Sequence, residues 1–193
     1  MGVLARAPAR VLVLGDSLSA EYGLARGSGW VALLAARLKQ AASPDEVINA
    51  SISGDTTSGG LARLPTLLAS HKPSHVLIEL GANDALRGLP VSSTEANLRD
   101  MVRLCQRARA KVLLVGMQVP PNYGQRYAQD FAGVFRKVAA DTSSALVPFL
   151  LAGVADVEGG NRGMFQADGI HPVAAAHPRI LDNVWPVLKP WLG

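Results

Sequence analysis

Short, uninterrupted apolar runs recur along this chain and restrict its fold more than any other feature. They lie at Val11 to Leu14, Val47 to Ile52, Val76 to Leu80, Val112 to Val115 and, more weakly, Ala145 to Phe149. The first four are rich in Val, Ile and Leu and lack period-two alternation, so they are expected as strands covered on both faces, as in a parallel sheet. Between them lie stretches of helical period. Trp30, Val31, Leu34 and Leu38 follow Ser28, a candidate N-cap; Leu98, Met101, Val102, Cys105 and Ala108 follow Ser92 and Ser93, with Glu95 in the first turn. A third helix is expected over 125–140 and a fourth over much of 174–188, where Pro178 and Pro186 should limit or kink it. Pro65 should act likewise within 61–70. Strand and helix alternate over the whole length, which predicts one three-layer α/β/α domain spanning 1–193, doubly wound and flavodoxin-like, with a parallel sheet of about five strands.

Composition narrows the possible partners. With 49% of residues hydrophobic and 18% charged, the chain can bury a core, which excludes a disordered or coiled-coil protein. One cysteine, Cys105, excludes an internal disulfide framework and any multi-cysteine metal site. The net charge is +4, but the basic residues are dispersed and aromatic residues make up 5%, which argues against a nucleic-acid partner. Gly, Asp, Arg or Pro interrupts every apolar run well short of the roughly 18 to 20 residues of a membrane span, so no integral membrane segment is expected. The first ten residues carry two arginines and pass directly into an apolar run, without a separate secretory signal. As written the chain reads as soluble and cytoplasmic, with a periplasmic or secreted location open if such a signal has been removed; its oligomeric state is left open.

In open parallel sheets, ligands bind outside the carboxyl ends of the strands, so the polar residues after each run carry the functional information. These are Gly15-Asp16-Ser17-Leu18-Ser19, Ser53-Gly54-Asp55 and Gly81-Ala82-Asn83-Asp84, with Asp168-Gly169-Ile170-His171-Pro172 near the C-terminal end. A hydroxyl, a glycine amide, a side-chain amide and an Asp/His pair are the parts of an acyl-transfer site with an oxyanion hole. Each also has a plain structural alternative. Ser17 could cap a helix, Gly54 could serve a turn, Asn83 could start an Asx-turn, and Asp168 to His171 could be a surface turn.

A serine hydroxyl is barely nucleophilic without a base, so the histidines matter. His71 and His75 flank Pro73 and suit loops on the side opposite the strand ends, while His177 precedes a proline and suits a solvated or capping role. His171 alone has an acid three residues upstream in a Gly-containing turn. That spacing can set the carboxylate against Nδ1 and leave Nε2 to take up and return a serine proton.

The blocks GDSLS, SISGDT, ELGANDALRG and DGIHP, in this order, resemble the SGNH hydrolase superfamily, the GDSL-type esterases and lipases. The likeness is greatest to the bacterial branch of thioesterase I, lysophospholipase and arylesterase enzymes, and it runs from Val11 to the end of the chain. The resemblance implies a serine esterase acting on aryl and short-to-medium acyl esters, thioesters or lysophospholipids, with a small-molecule ester or thioester as partner and neither a metal nor an organic cofactor. It casts Ser17 as nucleophile, His171 as base and Asp168 as its acid. The oxyanion hole then consists of the Ser17 and Gly54 amides and the Asn83 side chain.

Other residues are read more loosely. The loop Gln118 to Gly124, with Pro120, Asn122 and Tyr123, is either an ordinary turn or a wall of the acyl pocket; the resemblance implies a mobile substrate-binding loop. Asp16 and Ile170 are further substrate-side candidates, and Met164 and Phe165 either line the pocket or pack in the core. Asp16, Asp55 and Asp84 are expected to support loops. Glu79, an acid within an apolar strand, needs partners that the sequence does not name. Cys105 is expected as a packed thiol, and Arg99, Arg103 and Arg107 as a solvated basic face. Ala82 stands where close relatives more often carry a second glycine, which is tolerable at negative φ. The segment after Pro172 is also less polar than is typical of relatives.

Three other readings compete with this one. An α/β-hydrolase needs Gly-x-Ser-x-Gly, but Ser19 replaces the second glycine, and its acid and histidine normally lie far apart in sequence. A non-catalytic, nucleotide-binding flavodoxin-like module would use Gly54 to Gly60, yet Gly60 stands where a phosphate loop demands lysine. A carbohydrate O-acetyl esterase on the same scaffold remains an alternative, since fold does not fix substrate.

Overall fold

The computed structural model describes residues 7–119, 121–157 and 162–192. Five strands, β1 (Arg10–Gly15), β2 (Glu46–Asn49), β3 (His75–Glu79), β4 (Lys111–Val115) and β5 (Ala145–Val147), form one parallel sheet in the order β2-β1-β3-β4-β5. The sheet grows one way from β1 to β2 and the other way from β3 onward. Its topological switch point therefore lies between β1 and β3, where a doubly wound sheet opens a crevice at its carboxyl edge.

The apolar runs become the inner strands because both faces are covered: Val11 to Leu14, Val76 to Ile78 and Val112 to Val115 are all buried. β2 departs from that expectation. It is an edge strand whose Val47 and Ile48 are only half-buried, and strand geometry stops at Asn49 rather than Ile52. The backbone still tracks β1, with the Ala50 and Ile52 N–H groups donating to Val13 and Gly15 carbonyls. That pairing delivers residues 53–55 to the end of β1.

Helices α1 (Trp30–Gln40) and α6 (His177–Leu192) pack together on one face, and α2 (Thr57–His71), α4 (Val91–Arg107) and α5 (Gln125–Thr142) on the other; α3 (Ala82–Leu86) is a short turn after β3. Several local expectations change. The Ser28 hydroxyl donates to the Ala25 carbonyl, Gly29 occupies the cap of α1, and the Trp30 N–H is taken by His177 Nδ1 at 3.0 Å. His177 is thus buried and capping rather than solvated. α4 begins at Val91, which puts Ser92 and Ser93 inside its first turn and Glu95 beyond it.

Pro65 does not break α2, and α6 runs through Pro186 and on past Leu188 to Leu192. Anchored ends hold α2 across the missing bond: the Thr56 hydroxyl accepts the Gly59 N–H, and Lys72 closes the other end in the left-handed region. Arg99 is not simply solvated, since it pairs with Glu95 at 3.0 Å and Asp141 at 2.8 Å and ties α4 to α5. Cys105 is buried, and burial pushes its thiol up to about 12. His75 opens β3 at the edge opposite the crevice, with Nε2 bonded to the Trp191 carbonyl. Among the described residues no helix is long and apolar enough to cross a membrane.

Candidate active site

The turn after β1 begins with a close approach. A Cβ on Gly15 would lie 2.8 Å from both Glu79 Oε2 and the Ser19 hydroxyl, so a larger residue would displace these two side chains. The Asp16 carbonyl then accepts the Ser19 and Ala20 N–H groups, and Asp16 Oδ1 accepts the Leu18 N–H at 3.0 Å. The side chain that closes this turn is therefore Asp16, not Ser17.

The Ser17 hydroxyl lies 2.9 Å from His171 Nε2, across 154 residues of sequence. His171 Nδ1 lies 2.7 Å from Asp168 Oδ2, while Asp168 Oδ1 accepts the N–H groups of Ile170 at 2.9 Å and His171 at 3.0 Å. The His171 amide and imidazole, together with the Ile170 amide, hold the Asp168 carboxyl down at about 2. Gly169, at φ +67°, supplies the left-handed residue of this turn, and the Gln166 N–H donates to the His171 carbonyl across its base. Tyr22 lays its ring against the imidazole, with centroids 4.3 Å apart and planes tilted by 37°. Nothing in the sequence signals that contact beyond an aromatic residue shortly after the serine.

Gly54 adopts φ +79°, and its carbonyl accepts Arg87 Nη2 at 2.8 Å. Among the described residues, neither the Ser17 nor the Gly54 N–H donates a hydrogen bond. Asn83 Nδ2 donates to Asp16 Oδ2 and to the Asp55 carbonyl, both at 3.0 Å, so both of its hydrogens are engaged. Ala82 is the first residue of α3; the positive φ falls on Gly81 instead, and the extra methyl is accommodated. Asp55 pairs with Arg63 at 2.8 Å, and buried Asp84 accepts the Thr57 N–H at 2.9 Å and the Thr57 and Thr94 hydroxyls. Both carboxylates thus brace loops, as Asp16 does.

A cleft of about 370 Å3 opens beside these groups. Asp16, Ser17, Asn83 and His171 contribute to its lining, and Leu86, Met117, Val119, Phe149, Leu151 and Phe165 make most of it apolar. Tyr123 and Ile170 line it too, whereas Asn122 is exposed and off the wall, Gly54 is not among the lining residues, and Pro120 lies outside the described residues. Met164 packs against the core instead. Met117, Phe149 and Leu151 escaped sequence reading because an apolar residue just past a strand looks the same whether it faces the core or a cleft. No group of three His, Cys, Asp or Glu among the described residues could hold a metal ion.

The chain is 56% identical over 182 residues to the esterase TesA of Pseudomonas aeruginosa, covering 94% of this chain and 89% of that protein. It is 42% identical to the arylesterase of Vibrio mimicus, covering 95% and 90%, and 42% identical to thioesterase 1/protease 1/lysophospholipase L1 of Escherichia coli K12, covering 93% and 83%. The crystal structure of TesA superposes with a TM-score of 0.88 at 55% identity, covering 94% of this chain and 98% of the other. That of the psychrotrophic esterase EstA from Pseudoalteromonas, inhibited by monoethylphosphonate, gives 0.88 at 42% identity, covering 95% and 98%. Residues 13–179 match the model of the GDSL-like Lipase/Acylhydrolase family, and the chain belongs to that family.

Proposed function

We propose that this carboxylic ester hydrolase works through an acyl-enzyme on Ser17. His171 Nε2 takes the Ser17 proton as the hydroxyl attacks the ester carbonyl, and Asp168 holds the imidazole by Nδ1 and stabilises the imidazolium. The negative charge that gathers on the carbonyl oxygen is met by the Ser17 and Gly54 amides, and by Asn83, which turns one Nδ2 hydrogen away from the Asp55 carbonyl. His171 protonates the leaving alcohol or thiol, then activates the water that releases the acid. No metal or organic cofactor enters any step. The observation that carries this reading is the continuous hydrogen-bonded line from Ser17 through His171 to Asp168 beside an apolar cleft.

The substrates we propose are aryl and short-to-medium acyl esters and thioesters, with lysophospholipids as an extension of the same class; no nucleic acid is involved. Apolar walls suit an acyl or aryl group, while an O-acetylated sugar would need more polar partners for its hydroxyls than Leu86, Met117, Phe149 and Leu151 offer. Ser17→Ala is expected to cut turnover of a p-nitrophenyl acyl ester on the order of 10⁶-fold. An organophosphonate should label Ser17 and no other residue, as read by peptide mass spectrometry. Near-normal turnover in the variant, or a label elsewhere, would overturn the mechanism.

A further inference from the structure

Beneath the Ser17 turn, two carboxyl groups lie buried without a cation. Asp16 is 1% exposed and Glu79 0%. Among the described residues neither belongs to an ion pair. Their hydrogen-bond donors are divided unequally. Asp16 receives the Leu18 N–H on Oδ1 and Asn83 Nδ2 on Oδ2, which is the environment of a carboxylate. Glu79 receives the Ser19 hydroxyl at 2.7 Å and the Asp16 N–H at 3.3 Å, both on Oε2, and its buried Oε1 has no partner. Ser19 is itself held by the Trp30 indole N–H at 3.2 Å, so its own proton is directed to Glu79.

An ionised Glu79 would leave an anionic oxygen without a donor in a dry interior, next to a second anion. A protonated Glu79 removes both conflicts, because it carries no charge beside Asp16 and its partnerless Oε1 is then no longer part of an anion. We propose that Glu79 is held as a neutral carboxylic acid beneath the Asp16 carboxylate, and that this pair is a positioning device for the catalytic turn. The acid holds the Asp16 N–H and the Ser19 hydroxyl at the two sides of Ser17; the Asp16 carboxylate in turn fixes the Leu18 amide and the Asn83 side chain. The proton takes no part in ester cleavage. The proposal rests on the reading of Ser17 given above.

Two further observations agree. Gly15 is the residue whose missing Cβ makes room for Glu79 Oε2, so the strand itself is shaped around this carboxyl. Burial raises both acids, Asp16 to about 6 and Glu79 well above the usual carboxylate range, and the Asp16 charge raises Glu79 further. The other charged groups that bear on Asp16 are His171, which lowers it, and Asp55, which raises it and is itself tied to Arg63. The pair then carries one proton, on Glu79, and one negative charge, on Asp16, whose two oxygens each receive a donor.

The test compares Glu79→Gln, a neutral isostere, with Glu79→Met, which keeps bulk and loses hydrogen bonding. The Gln variant should keep kcat within about threefold because it reproduces the neutral donor and acceptor. The Met variant should lose kcat by roughly 10-fold to 100-fold at little-changed KM, because the turn is misplaced rather than the substrate unbound. The infrared difference spectrum of wild type minus Glu79→Gln at neutral pH should show a carboxylic-acid C=O band that shifts in heavy water. Carboxylate bands alone, a Gln variant as impaired as the Met variant, or a Gln variant that does not fold would overturn the proposal. If the Met variant does not fold, the infrared band and the Gln kinetics decide. Phosphonate labelling of Ser17 in the wild type keeps the two questions apart: an acid band without a Ser17 label would retain the carboxyl pair and discard the nucleophile.

Discussion

Asp168 shows how backbone geometry sets the electrostatics of one side chain. Two amides and the imidazole converge on its carboxylate, although the group is partly open to solvent. Its folded-state value, about 2, lies below the ordinary 3.8, so its stabilising contribution is present in full above 3.8 and is lost as pH falls through about 2. Asp168→Asn should keep the fold while lowering turnover at neutral pH by up to roughly 10⁴-fold, because an amide cannot hold the imidazole tautomer. The stability gap between wild type and this variant, followed by urea unfolding across pH, should close over the window from 3.8 to about 2. A gap that persisted at the acid end would contradict the assignment. The three-residue spacing of Asp168 and His171 was legible in the sequence because the turn joining them is local. The double engagement of Asn83 by Asp16 and Asp55 was not, because those partners come from different strand ends.

At the scale of elements, helix ends illustrate the limits of local rules. The sequence offers Ser28 as the cap of α1, yet the first amide of that helix is served by His177 Nδ1 from α6, 147 residues away. To accept that bond, Nδ1 must be unprotonated, and burial lowers the His177 pKa from 6.5 accordingly. The capping contribution is then complete above 6.5 and is lost as pH falls below it through the lowered folded-state value. His177→Ala should cost about 1 kcal/mol above that pH, within the roughly 0.5–2 kcal/mol range of N-cap losses. The difference from wild type should narrow on acidification, and a gap that widened instead would argue against the cap. The strands themselves were readable from continuous apolar runs, since burial on both faces leaves that imprint. Pro65 misled because a helix held at both ends by Thr56 and Lys72 tolerates a defect that an isolated one would not.

For the molecule as a whole, the decisive fact is the strand order, which sets the turn after β1 beside the turn after β3. The pairing of Leu12 with Val76 and Leu14 with Ile78 holds these two strands in register, and Leu77 lies fully buried between the helical layers. Leu77→Ala should cost about 2–5 kcal/mol in urea unfolding, from lost transfer energy and the cavity left behind. A loss below about 1 kcal/mol would mean that β3 is not the packed centre of the sheet. By itself the sequence determined the alternation of strands and helices and the chemical parts that follow the strands, because periodicity and turn chemistry are local properties, though not where β2 and β5 stop. Tertiary structure alone decided that Ser17 meets His171 across 154 residues, that Met117, Phe149 and Leu151 face a cleft, and that Glu79 finds Asp16 and Ser19. Proximity and burial belong to the assembled surfaces, and no short window of sequence contains both sides of such a contact.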